Sequence, residues 1–385
     1  MHARCYFLLA VLCFAIAPVT HAGESPNTQV LLIVLDGLRP DYVTPVLMPN
    51  LYALGQRGVV CENHHAVFPT VTRVNASSIA TGSYPATHGL MGNTVFFPEV
   101  EPKRGLSTGD ARNLMRIEEV TGGRLLTAPS LGELLDAHGK KLLTVSSGSS
   151  GSSYLTNHKV RGGGIINVEH ILPAEQADLV KQTLGAVPEE TGPNRDQNRW
   201  AVDAYLKYGL DIVHPDVTIM WISDPDHTTH DAGIGSPDNL ACLKNDDEEI
   251  GRILATLDQR GLAATTNILV ASDHGFSTHT GKSSVTDLLT KAGLKGDDVI
   301  VVEGAIYVQN HDEAKIKAIV QLLQETDWIG PIFTKANQPG DPKGFVEGTF
   351  SFDIIHWNHA RSADILVGAN WSDDANALGW KGTTT

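Results

Sequence analysis

Three short apolar runs in this chain each break off at an acidic residue, and that feature restricts the fold more than any other. Residues 30–35 run into Asp36, residues 217–222 precede Asp224 and Asp226, and residues 267–271 precede Asp273. Continuous β-branched and leucine-rich runs of this length read as strands buried on both faces of a parallel sheet. Helical patterns separate them. The clearest is Ile250, Ile253, Leu254 and Leu257, an i, i+3, i+4, i+7 stripe closed by Gly261. A further strand is expected over 142–145, behind a helix over 130–138. The expected fold class is α/β, with a largely parallel central sheet sandwiched by helices. In such sheets ligands collect beyond the carboxyl ends of the strands, which is where these acids stand.

The chain has 385 residues, enough for two domains or for one large α/β domain with insertions. We expect one domain over 28–385 with a smaller inserted cap region at about 283–350, helical over 285–294, extended over 299–308 and helical again over 312–323. The strand-like 363–367 is expected to return to the main sheet. The Ser/Gly-rich 146–153 and the Pro/Gly-rich 187–195 read as loops.

A formal charge of −15 argues against binding of a nucleic-acid polymer through a basic surface, which needs clustered Lys and Arg. It leaves phosphate substrates open, because bound metal ions supply positive charge locally. Residues 1–22 read as a signal peptide: Arg4, an apolar run over 6–18, and a close on Thr20-His21-Ala22. The run is too short to span a bilayer. The mature chain is therefore expected to lack a membrane span and to be secreted or periplasmic. Cys61 and Cys242 remain after processing, either paired or as separate thiols.

Asp36 stands before Gly37, Asp226 and His230 are four apart, and Asp273 and His274 are adjacent before Gly275. Carboxylate and imidazole suit Zn²⁺, with Mn²⁺ or Fe²⁺ as alternatives. Five such residues at three strand ends suffice for two divalent ions, which clamp the attacking and leaving oxygens of a displacement at phosphorus. Thr72 precedes a short helix, whose positive end favours an anionic phosphoryl group. The plainer reading is that Thr70 or Thr72 caps that helix.

Asp36-Gly37, Phe68-Pro69-Thr70-Val71-Thr72, residues 80–89 (Ala-Thr-Gly-Ser-Tyr-Pro-Ala-Thr-His-Gly), Asn93, the Pro225/Asp226/His230 motif and Ser272-Asp273-His274-Gly275 together resemble the nucleotide pyrophosphatase/phosphodiesterase family of the alkaline phosphatase superfamily. The resemblance implies Thr72 as nucleophile, with Asp36, Asp273 and His274 holding the zinc it binds. It also implies Asp226 and His230 at a second zinc, and Asn93, 21 residues after Thr72, as the amide on a non-bridging phosphate oxygen. The implied activity is hydrolysis of a small-molecule phosphodiester or nucleotide substrate through a phosphothreonine intermediate. Alternatives on the same scaffold are a phosphomonoesterase, a phosphonate hydrolase, or a non-catalytic binding protein without the second metal. A sulfatase is disfavoured, since no Cys-x-Pro-x-Arg occurs. The family's last histidine ligand has no match here. His356 and His359 come too early, and the ligand is expected beyond Thr385.

Overall fold

The computed structural model describes residues 28–279 and 284–382; the expected signal peptide lies outside them. The central sheet has six strands: β1 Gln29–Leu35, β2 Leu142–Ser146, β3 Gly162–Asn167, β4 Ile171–Leu172, β5 Val217–Ile222 and β6 Thr266–Ala271. Their order is β4-β3-β2-β5-β1-β6. All pairs are parallel except β3 with β4. The three acid-terminated runs are thus neighbours, with β1 between β5 and β6.

Both faces of this sheet are buried, so alternate residues enter different cores. Leu31, Ile33 and Leu35 of β1, with Met220 and Ile222 of β5, pack against the helices Arg195–Asp203 and Pro237–Gln259. Val34 and Trp221 point the other way, into a core with Ala76 of the helix Thr72–Thr81, Leu114, and Leu155 of the helix Ser150–Thr156. The predicted stripe Ile250, Ile253 and Leu257 is buried as expected. Among the described residues, no helix is long and apolar enough to cross a membrane.

Residues 285–369 add a second sheet of five strands, β7 Val299–Val302, β8 Ala305–Val308, β9 Ile329–Thr334, β10 Phe350–Ser351 and β11 Ile365–Ala369, ordered β7-β8-β11-β9-β10. The helices Val285–Lys291 and Glu313–Gln324 lie against it. Two expectations are corrected here. The 363–367 run does not return to the main sheet but pairs with β8 and β9. The second half of the Ser/Gly run is a buried helix, Ser150–Thr156, capped by the Ser149 side chain accepting from Ser152 N–H. Cys61 is exposed and Cys242 buried, and both are free thiols.

Candidate metal centre

Asp36 follows β1, Asp273 and His274 follow β6, and Asp226 opens the helix Asp226–Ala232 behind β5. Asp36 and Asp273 are buried, and each has one oxygen tied down and one left over. Asp36 Oδ2 accepts the Trp221 indole N–H at 2.9 Å, and Asp273 Oδ1 accepts the Gly37 N–H at 3.1 Å. Asp36 Oδ1, Asp273 Oδ2 and Asp226 Oδ1 are buried with no hydrogen-bond partner. Orphaned oxygens on three converging acids are costly, because a buried acceptor without a donor keeps its full desolvation penalty.

His274 shows what they converge on. Its Nδ1 donates to the Gly275 carbonyl at 3.1 Å, which turns Nε2 toward the acids. Nε2 stands 3.3 Å from Thr72 Oγ1, 3.4 Å from Asp36 Oδ1 and 3.6 Å from Asp273 Oδ2. Donors about 2.0–2.1 Å from a tetrahedral ion lie about 3.3 Å apart. Asp36, Asp273 and His274 therefore form a candidate metal-binding triad. Burial first, then the charges of Asp273 and Asp226, push the Asp36 carboxyl well above its ordinary value, and burial also raises Asp273. A cation at the shared point would reverse both effects.

Asp226 and His230 sit beside the triad, with His230 Nε2 3.3 Å and His274 Nε2 3.8 Å from Asp226 Oδ1. Phe276 meets both imidazoles edge-on, at 5.5 and 5.7 Å. Among the described residues Asp226 and His230 make a pair, not a second triad. His356 stacks on Tyr84 at 4.3 Å and His359 Nε2 meets Thr127 Oγ1 at 3.2 Å. Neither lines the cavity beside the triad.

Thr72 is the first residue of its ten-residue helix, and the N-cap residue Val71 makes no side-chain cap bond. The Thr72 hydroxyl does not cap the helix either; buried, it faces His274. Asn75 fixes the entry loop, accepting the Val67 N–H and donating to the Val67 and Val71 carbonyls. Asn93 Oδ1 accepts the Arg73 N–H at 2.9 Å. Only the oxygen accepts, so the amide nitrogen remains available. A cavity of about 330 Å³ opens over Asp36, Thr72, Asp226 and His230, walled by Ser147–Ser149, Glu169 and Glu190. His227 is helical and lines this wall, 3.3 Å from Glu190 Oε1.

Trp221, Phe276 and Arg73 went unnoticed as site residues in the sequence. For Trp221 a clue exists: an indole N–H on a fully buried strand needs a buried acceptor, and the neighbouring strand ends in Asp36.

The family model described as type I phosphodiesterase / nucleotide pyrophosphatase matches residues 30–372. The chain belongs to that family. It is 26% identical over 255 residues to venom phosphodiesterase 2 of Crotalus adamanteus, covering 65% of this chain and 27% of that one. To the human ectonucleotide pyrophosphatase/phosphodiesterase family member 1 it is 26% identical over 262 residues, covering 67% and 24%. The bis(5'-adenosyl)-triphosphatase of Xenopus laevis is 24% identical over 279 residues, covering 72% and 53%. The matched region thus spans about a quarter of the first two relatives and about half of the third. Two solved structures share the fold. Murine ectonucleotide pyrophosphatase/phosphodiesterase 5, in an inactive form with AMP, superposes with TM-score 0.63 at 17% identity, covering 92% of this chain and 80% of that one. Phosphonoacetate hydrolase from Sinorhizobium meliloti gives 0.64 at 20%, covering 94% and 83%. The chain is therefore homologous to known hydrolases and has their core, a largely parallel sheet flanked by helices with added elements.

Proposed function

We propose that this chain hydrolyses phosphodiester or pyrophosphate bonds, with Thr72 as the nucleophile. The observation that carries this reading is the 3.3 Å approach of Thr72 Oγ1 to His274 Nε2, at the point where the free oxygens of Asp36 and Asp273 converge. Asp36, Asp273 and His274 would hold one divalent ion, proposed as zinc, and Asp226 with His230 would contribute to a second. Such ions, when bound, lower the pKa of the attacking hydroxyl and neutralise charge on the leaving oxygen. Thr72 Oγ1 gives its proton to solvent and forms a bond to phosphorus in line with the leaving oxygen, which departs with the bonding pair. Water then cleaves the Oγ1–phosphorus bond and restores the hydroxyl. The amide nitrogen of Asn93 and the positive end of the Thr72 helix hold the equatorial oxygens. Residues 1–22 support export to the periplasm or the exterior.

A phosphonate hydrolase is the second reading, and one observation favours it. No Phe, Tyr or Trp side chain lines the cavity among the described residues, so a large platform for stacking a nucleobase is lacking there. The test is turnover of bis(p-nitrophenyl) phosphate by the zinc-loaded protein, against p-nitrophenyl phosphate and phosphonoacetate. Thr72→Ala is expected to lower diester turnover by at least about 10³-fold with zinc content unchanged. Persistent hydrolysis would reject Thr72 as nucleophile.

A further inference from the structure

Arg73 follows Thr72 directly and lines the same cavity, where it is the one Arg or Lys among the described lining residues. Other part-buried arginines of this fold are committed. Arg39 pairs with Asp41, Arg252 with Asp203 and Glu249, and Arg361 donates to the carbonyls of Gly89, Arg124 and Leu125. The Arg73 guanidinium makes no hydrogen bond or ion pair among the described residues, and its Nε is buried without a partner. Its charge reaches Asp36 and Glu303 and favours their ionised forms. Both already accept elsewhere, Asp36 from Trp221 and Glu303 from the Thr94 hydroxyl at 2.8 Å. Room for the group is kept by Gly109, where a Cβ would stand 2.6 Å from the terminal Nη2.

The guanidinium has a buried Nε that gave up water without gaining a partner, which is unfavourable, and its other donors are uncommitted among the described residues. Its planar fork matches the paired oxygens of a carboxylate or phosphoryl group. We propose that Arg73 is a specificity-determining residue that binds a second anionic group one or two bonds from the scissile phosphorus. This deepens the hydrolase reading and rests on it for placing that phosphorus at Thr72. The anion is compact, because the other charged side chains lining the cavity beyond the ligands include Glu169, Glu190 and Asp231, which repel a long polyanion.

The test is calorimetric titration of the zinc-loaded full chain with methylphosphonate, methylenediphosphonate and phosphonoformate. The wild type is expected to bind one of the two-anion probes at least about tenfold more tightly than methylphosphonate. Which probe wins separates a second phosphoryl group from a carboxylate. Arg73→Gln should shrink that ratio to below about threefold, with Arg73→Lys between. Gly109→Ala, whose Cβ displaces the guanidinium, should shrink it without altering Arg73 itself, which covers the case that Arg73→Gln fails to fold. A wild-type ratio near one for both probes, or an unchanged ratio in the variants, overturns the proposal. Bis(p-nitrophenyl) phosphate turnover on the same preparation separates the two readings. A retained ratio without turnover removes the hydrolase and keeps the anion selection, and turnover with a ratio near one does the reverse.

Discussion

Two groups of buried aspartates lie within this sheet edge, and they differ in how their oxygens are served. Asp224 accepts four hydrogen bonds: from the Thr228 N–H and hydroxyl on Oδ1, and from the Asn194 N–H and Asn198 amide on Oδ2. Asp36 and Asp273 accept one each from Trp221 and Gly37, and their other oxygens face a shared point. Equal burial thus has opposite meanings. A carboxylate ringed by donors is architecture, holding the start of the helix that carries Asp226 and His230. One that leaves an oxygen bare beside other bare oxygens is a candidate receptor for a cation. Asp246 is a third case: Oδ1 accepts from Asn198, while Oδ2 is orphaned beside a void of about 10 Å³ lined mainly by aliphatic side chains. Burial and the Asp224 charge there favour the protonated carboxyl.

The contrast breaks most sharply under isosteric amides. Asp224→Asn points an NH₂ at groups that themselves donate, and should cost about 3 kcal/mol in urea denaturation. Asp273→Asn should instead raise the unfolding midpoint of the metal-free protein, because it removes charge the fold does not compensate. Equilibrium dialysis should find its zinc affinity lowered by more than about 100-fold. If both substitutions destabilise the metal-free protein alike, the distinction is wrong. Trp221→Phe keeps most of the packing and deletes only the hydrogen bond to Asp36 Oδ2, so zinc affinity should fall about tenfold with a small change in stability.

The smallest effect concerns Asp246, whose carboxyl is held well above its ordinary value by burial and by the Asp224 charge. The folded state then binds a proton the unfolded state has released, so stability declines as pH rises from about 4 through the raised value. Asp246→Asn should flatten that decline, with its gain, on the order of 1 kcal/mol, greatest at the alkaline end of a pH series. An unchanged slope would mean that Asp246 is ionised in the native protein.

The central sheet was readable because its strands are buried on both faces and so spell continuous apolar runs, which the acids then punctuate. The convergence of Asp36, Thr72, Asp226, His230, Asp273 and His274 followed from that placement together with motif order. What composition misread was the Ser/Gly stretch. Its small residues mark tight packing rather than a loop, since a Cβ on Gly151 would stand 1.8 Å from the Thr108 carbonyl oxygen. The fate of 363–367 was invisible for another reason. A short apolar run specifies a strand but not a partner, and two sheets were available to take it. Arg73 escaped notice because an arginine beside Thr72 has no meaning until its lack of partners is seen.

β6 pairs only with β1, at the border of the central sheet among the described residues, and its outward Leu269 is 51% exposed. Yet two of the three triad residues, Asp273 and His274, hang directly from its end. A border strand is the part of a sheet that frays first, so each opening of β6 would carry both residues away from Asp36. An ion bound there would work as a rivet, fastening a border strand of the sheet to its centre. Loading the site should slow amide exchange along residues 266–271 well before it alters the interior strands.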